Sequence, residues 1–202
     1  MGSHAARDTP SFPLRHALPE RLGEPGFALE RWRVSDEPVL GALVAESREH
    51  LAAFMPWASS EPASPTERRA LLERWEQEWA HARGAGYKVP DDEGGACGVI
   101  SLSRKPAPQL IEIGYWLAPR ATGAGRITRA ARILTAFALA QPEVEVVVIR
   151  HDVANVASGA VPARLGFRRR SASTRPAEAP GERGILVEWV AERGRWSTQS
   201  AT

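Results

Sequence analysis

The chain has 202 residues, 43% hydrophobic and 25% charged, with a formal net charge of +2 at pH 7. That balance excludes a charge-rich disordered chain, and the length suits one domain with a sizeable core. The positive charge is nearly all arginine, with Lys88 and Lys105 the lysines, and no face forms a basic stripe, so no nucleic-acid partner is expected.

The single cysteine, Cys97, excludes an internal disulfide and a cysteine-rich metal site. The histidines (His4, His16, His50, His81 and His151) lack ligand spacing, so no metal is expected. No apolar run reaches membrane-spanning length and no signal-type apolar segment opens the chain. A cytoplasmic protein without a membrane partner is therefore expected.

In chain order, residues 1–25, with Pro10, Pro13, Pro19, Gly23 and Pro25, suggest an extended arm. Phe27 to Val34 alternates as a strand does. Ser35-Asp36 is placed to cap a helix whose apolar stripe is Val39, Leu40, Leu43, Val44 and Leu51. A Ser/Pro/Glu loop follows, and Pro65-Thr66 opens a second helix carrying Leu71, Leu72, Trp75 and Trp79. The two tryptophans, four apart, are expected in the core.

Tyr87–Val89 and Ala96–Ser103 flank a hairpin turn at Asp91-Asp-Glu-Gly-Gly95. Pro106-Ala-Pro108 turns the chain into a third strand, Leu110 to Leu117. Arg126 to Leu139 has helical spacing, Val144 to Ile149 is an unbroken apolar run, and Asn155 opens a last helix ending at Leu165-Gly166. Phe167 onward and Gly184 to Val190 are the final strands, and residues 193–202 form a flexible tail. With no repeat or linker, residues 26–192 form one domain of mixed α/β class.

The central run, Trp116-Leu-Ala-Pro-Arg120-Ala-Thr-Gly123-Ala-Gly125, passes from a strand through a glycine turn into a helix. Such a turn gathers successive backbone N–H groups at the positive end of the helix, which suits a pyrophosphate. The third glycine of a dinucleotide fingerprint and the lysine of a P-loop are both missing after Gly125, which argues against those sites.

Three segments in this order resemble the GNAT superfamily of N-acetyltransferases, specifically its RimJ/RimL-like branch. They are His50-Leu-Ala-Ala-Phe-Met-Pro-Trp57, Glu112-Ile-Gly-Tyr-Trp-Leu-Ala-Pro-Arg120-x-x-Gly123-x-Gly125, and Asn155-Val-Ala-Ser158 with Ala163-Arg-Leu-Gly-Phe167. The likeness spans roughly residues 27 to 190. One departure stands out. Where the branch carries an aromatic residue and then Ala-Thr-Glu-Ala, this chain has Arg126-Ile-Thr-Arg129-Ala130, with Arg129 at the acidic position.

The resemblance implies a mixed α/β (α+β) GNAT fold, a mostly antiparallel twisted sheet of about seven strands flanked by about four helices. It also implies acetyl-CoA as co-substrate, a primary amine as acceptor, and direct transfer in a ternary complex. The strand before the turn would splay from its neighbour, with amides near Trp116 and Leu117 meeting the pantetheine. Arg120 and the backbone of Ala121, Thr122, Gly123, Ala124, Gly125 and Arg126 would wrap the pyrophosphate.

Individual side chains keep two readings. Asn155 suits either the pantetheine amides or a helix N-cap. Ser158, one turn on, is either a donor to the leaving thiolate or a small polar residue of a first turn. Glu112, on the face of Gly114 and Trp116, is either the catalytic base and acceptor contact or a solvent-facing residue; Tyr115 faces the other way, where packing is the default. Trp57 is a wall of the acceptor cleft or a core aromatic. The acceptor is a protein N-terminus or a small amine, and members of the branch are monomers or homodimers. An acyl-CoA-binding module without transfer, or a transferase for another acyl group such as succinyl, remains an alternative.

Overall fold

Eight strands form one sheet: β1 (Arg21–Glu24), β2 (Phe27–Arg31), β3 (Gly84–Pro90), β4 (Ala96–Arg104), β5 (Leu110–Leu117), β6 (Val146–Asp152), β7 (Arg168–Thr174) and β8 (Ile185–Glu192). Their spatial order is β1-β2-β3-β4-β5-β6-β8-β7, antiparallel throughout except for β5 beside β6. The helices are α1 (Glu37–Ala52), α2 (Pro65–Ala80), α3 (Arg126–Ala140) and α4 (Val156–Arg164). The computed structural model describes residues 17–60, 64–105, 107 and 109–197. The expected turn at Pro106 and Pro108, residues 61–63 of the loop, residues 1–16 of the arm and residues 198–202 of the tail lie outside them.

Period-two alternation sorts the strands' side chains onto two helix layers. Val99 packs with Trp32, Leu40, Leu43 and Leu72 under α1 and α2. Ile100, Ile113 and Ile149 point the other way, into the larger core with Ala130, Leu134 and Ala138 of α3. Helix α2 opens as its sequence dictates, with Ser64 and Glu67 forming a reciprocal capping box. Trp75 and Trp79 pack against different clusters, the first under α1 and α2 and the second against the main core.

Three expectations need correction. The eighth strand, β1, lies inside the stretch expected to be an arm, where Leu18 is already buried and β1 pairs along its length with β2. Its four residues alternate only weakly in hydropathy, so pattern gave no sign of it. Asp36 does not cap α1 with its side chain. It closes a 3₁₀ turn, Val34–Asp36, by accepting from the Arg33 N–H at 2.8 Å, and it pairs with Lys88 at 2.7 Å.

Residues 193–197 are also anchored. Arg193 donates to the carbonyls of Gln141 and Val144, and the Trp196 indole donates to the Leu165 carbonyl at 2.8 Å while meeting Phe167 edge-on. A tryptophan contributes burial even when partly covered, and this one also fixes the end of α4. Trp196→Ala is therefore expected to lower unfolding free energy by about 2 kcal/mol. Urea unfolding of the variant matching wild type would mean that the segment carries no structural load.

Candidate active site

The β5–β6 pairing lasts for three residue pairs, Leu110 with Val146, Ile111 with Val147 and Glu112 with Val148. Beyond Glu112 the strands part, while β5 stays paired with β4 through Leu117. The Ala118 N–H donates to the Cys97 carbonyl at 2.8 Å, which fixes the phase of the β4–β5 ladder. Alternation then turns the N–H and C=O groups of Trp116 and Gly114 towards β4, and those of Tyr115 and Leu117 towards the gap. The expectation for this strand is thus corrected in part. The Leu117 amide faces the gap, the Trp116 amide serves the sheet, and Tyr115 supplies the second free edge.

A cleft of about 1320 Å3 occupies this gap and continues past the glycine turn and α3 to α4 and the end of α1. Gly123 and Gly125 have φ of +80° and +73°, a region that side-chain-bearing residues enter only with strain. No side chain caps α3, so the N–H groups of Arg126, Ile127 and Thr128 lack helical partners while all three residues line the cleft. Converging free donors at a helix N-terminus constitute an anion site.

Other turn residues are placed differently from the expectation. Thr122 lines the cleft but donates its hydroxyl to the Pro119 carbonyl at 2.8 Å. Ala121 is buried and Ala124 exposed, and neither lines the cleft. Arg120 is turned outward, paired with Glu46 at 3.2 Å and Asp91 at 3.6 Å and donating to the Ala96 carbonyl at 3.3 Å. Those partners on α1 and the β3–β4 hairpin were invisible in the motif. Arg126 lines the cleft and pairs with Asp92 of the same hairpin.

On the opposite wall, Asn155 Oδ1 accepts from the Ser158 N–H at 3.0 Å, so the N-cap reading holds, and the residue also lines the cleft. Tyr115 reaches across the gap from β5 and donates to the Ser158 carbonyl at 2.9 Å. The Ser158 hydroxyl lies 3.4 Å from the same phenol oxygen. Burial pushes the Tyr115 phenol up to about 12, so it stays protonated across the physiological range. Sequence reasoning missed Tyr115 because it treated β5 as two-faced. Where two strands part, side chains from both faces can border the opening.

Glu112 does share a face with Gly114 and Trp116, as alternation requires, but it does not line the cleft. It sits at the last residue of β5 that pairs with β6, bound to Arg150 at 2.8 Å and Lys105 at 3.0 Å. Arg150 continues to Glu188, and Glu188 to Arg170, in a ladder of alternating charge. The expected base is thus a member of a structural ion network. Trp57 is 40% exposed with its ring 6.0 Å from that of Trp116, so it is not a core residue and flanks the cleft-lining Trp116. Among the described residues, no group of three or more His, Cys, Asp or Glu is placed to hold a metal ion, and no helix is long and apolar enough to cross a membrane.

The family follows from comparison. The model described as "Acetyltransferase (GNAT) domain" matches residues 27–168, and the chain belongs to this family of acetyltransferases. YdaF of Bacillus subtilis (strain 168), provisionally named a ribosomal N-acetyltransferase, is 32% identical over 133 residues, covering 65% of this chain and 72% of that protein. In fold, the chain resembles RimL, a ribosomal L7/L12 α-N-protein acetyltransferase solved with coenzyme A, at TM-score 0.79 and 20% identity over 86% of this chain and 98% of that one. It also resembles the microcin C7 self-immunity acetyltransferase MccE, solved with acetyl-CoA and AMP, at TM-score 0.77 and 18% identity over 87% and 98%.

His151, at the end of β6, supports α4 from below. Its Nδ1 lies 2.7 Å from the Asp152 carbonyl, and its Nε2 accepts from the Trp189 indole at 3.0 Å. A Cβ at Gly159, beside Ser158, would stand 2.6 Å from the imidazole, so the helix can approach only with glycine there. Burial lowers the His151 pKa from its ordinary 6.5. The unfolded chain therefore binds more protons just below pH 6.5, and this group's contribution is complete above that value and lost as pH falls through the folded pKa. Wild type should exceed His151→Gln in unfolding free energy at pH 7, with the gap narrowing towards pH 5. A pH-independent gap would contradict this account of the imidazole.

Proposed function

We propose that this enzyme transfers the acetyl group of acetyl-CoA directly to an α-amine, with a protein or peptide N-terminus as the preferred acceptor. The observation that carries the reading is the unpaired edge of β5 at Tyr115 and Leu117, opening beside the free amides of α3. An extended pantetheine needs backbone partners along one edge, and a pyrophosphate needs converging N–H donors; the cleft offers both in sequence. When bound, acetyl-CoA supplies an activated acyl group and a thiolate leaving group.

The chain's own groups hold and orient. The Leu117 N–H is free to bond to the bound thioester arm, and Asn155 has its side-chain N–H groups left for the same arm after capping α4. The Ser158 hydroxyl, beside the Tyr115 phenol, is the hydrogen-bond donor we assign to the departing sulfur, whose charge the proton released by the amine on becoming an amide would neutralise. Cys97 takes no part. Its thiol is buried, hydrogen-bonded to the Val89 carbonyl at 3.4 Å and pushed up by burial, all of which oppose nucleophilic use. Cys97→Ala should retain acetyl transfer, while an acetyl-cysteine trapped at Cys97 would overturn the direct route.

The preference for an α-amine comes from proton arithmetic. Besides its arginines, the titratable residues lining the cleft are Glu24, His50 and Tyr115. Glu24 is bound to two arginines and Tyr115 is protonated, so among the described residues the cleft offers no free carboxylate, and His50 at the end of α1 is the one side chain left to take a proton from an acceptor that is still charged. At pH 7.5 about a third of an α-amine is already neutral, against roughly a tenth of one per cent of a lysine-type amine. The names of the ribosomal relatives point the same way. In an acceptor panel at pH 7.5 read by thiol release, peptides with a free N-terminus should exceed Nα-blocked lysine peptides by about a hundredfold in kcat/KM. Equal turnover of the two would remove the argument, and turnover of small alkylamines alone would favour the small-amine reading.

A further inference from the structure

The cleft carries more cations than a pyrophosphate uses. Among the described residues four arginines line it, Arg126, Arg129, Arg132 and Arg164, against the single carboxylate of Glu24. Arg126 stands at the turn itself, but Arg129 and Arg132 lie roughly 6 and 10 Å further along the α3 axis from Gly125. Arg164 approaches from α4 and has no carboxylate partner among the described residues.

The two deeper α3 arginines are held in place by the β1–β2 hairpin. Glu24, at its tip, accepts from Arg129 and takes both oxygens to Arg132 at 2.8–2.9 Å. Arg129 also lies over the Phe27 ring at 4.6 Å and donates to the Pro25 carbonyl at 3.4 Å. Two guanidiniums sharing one carboxylate leave a net positive charge facing the cleft, already oriented. A guanidinium fork suits a phosphate better than a point cation would, and orienting it beforehand lowers the entropic cost of binding.

We infer that Arg129, Arg132 and Arg164 form a phosphomonoester subsite that reads the 3′-phosphate of coenzyme A, with Glu24 as the preorganising counter-ion. This rests on the coenzyme reading given above. The chemistry fits in both charge and order. A phosphomonoester carries about 1.5 to 2 negative charges at neutral pH. It stands one ribose beyond the pyrophosphate, as these arginines stand beyond the turn. Arg129 is also where the sequence departs from the pattern it resembles, and the acidic residue of that pattern would repel the same phosphate.

The test is the ratio of dissociation constants for 3′-dephospho-CoA and CoA, measured by isothermal titration on the full chain at fixed salt. Wild type should favour CoA by at least about tenfold, the value of one charge-assisted contact. Arg129→Gln with Arg132→Gln should bring the ratio below about threefold, and raised salt should shrink the wild-type ratio. Since losing the Glu24 pairs could loosen the hairpin, Arg164→Gln, at an exposed and unpaired side chain, provides a second variant and should also lower the ratio. Equal wild-type affinity for the two nucleotides, or a ratio that every variant keeps, overturns the subsite while leaving the coenzyme reading standing. Failure of both nucleotides to bind would overturn the coenzyme reading itself, and the subsite with it.

Discussion

Past Glu112, strand β5 loses its neighbour on one side while keeping its neighbour on the other, and the molecule is organised around that half-paired strand. Backbone polar groups removed from water need partners, and leaving them without any costs as much as losing the bond. Here the gap stays open as a cleft, so the free edges at Tyr115 and Leu117 border open space and are available. The parallel geometry makes the parting possible. An antiparallel neighbour joined by a tight turn would be drawn into register, whereas β6 arrives after a whole helix, α3, and pairs for three residues.

The parting also decides where the helices can act. Helix α3 begins at the end of the glycine turn that follows β5, so its uncapped N-terminus falls at the mouth of the gap, and α4 begins just after β6 on the far side. Two contacts then hold the gap at a set width. The Tyr115 phenol spans it to the Ser158 carbonyl, and the His151 ring, neutral and doubly bonded, sets the height of α4 through Gly159. Electrostatics divides the surface accordingly. Arg120, Arg150 and Arg170 are consumed by carboxylates outside the cleft, while the arginines inside it outnumber theirs.

Much of this was legible because period and punctuation are local properties. The eight-residue strand before the turn, the glycines with positive φ and the helix opening at Asn155 all follow from sequence spacing, and four helices appear where the pattern puts them. What escaped depends on contacts between distant residues. Arg120 belongs to a motif that points at phosphate, yet Glu46, 74 residues away, and the β3–β4 hairpin claim it. Glu112 had the right face but the wrong height along β5, because nothing in the sequence marks where β6 stops pairing. Trp196 looked like part of a tail, and only the fold brings Leu165 and Phe167 beneath it.

A direct examination of the central claim is an amide-resolved NMR titration of the 15N-labelled chain with coenzyme A. The account requires the largest shifts at Tyr115 and Leu117, at Gly123 and Gly125, and at the first amides of α3, with a parallel response at Asn155 and Ser158. Shifts concentrated on another face, with those backbone groups unmoved at saturation, would contradict it.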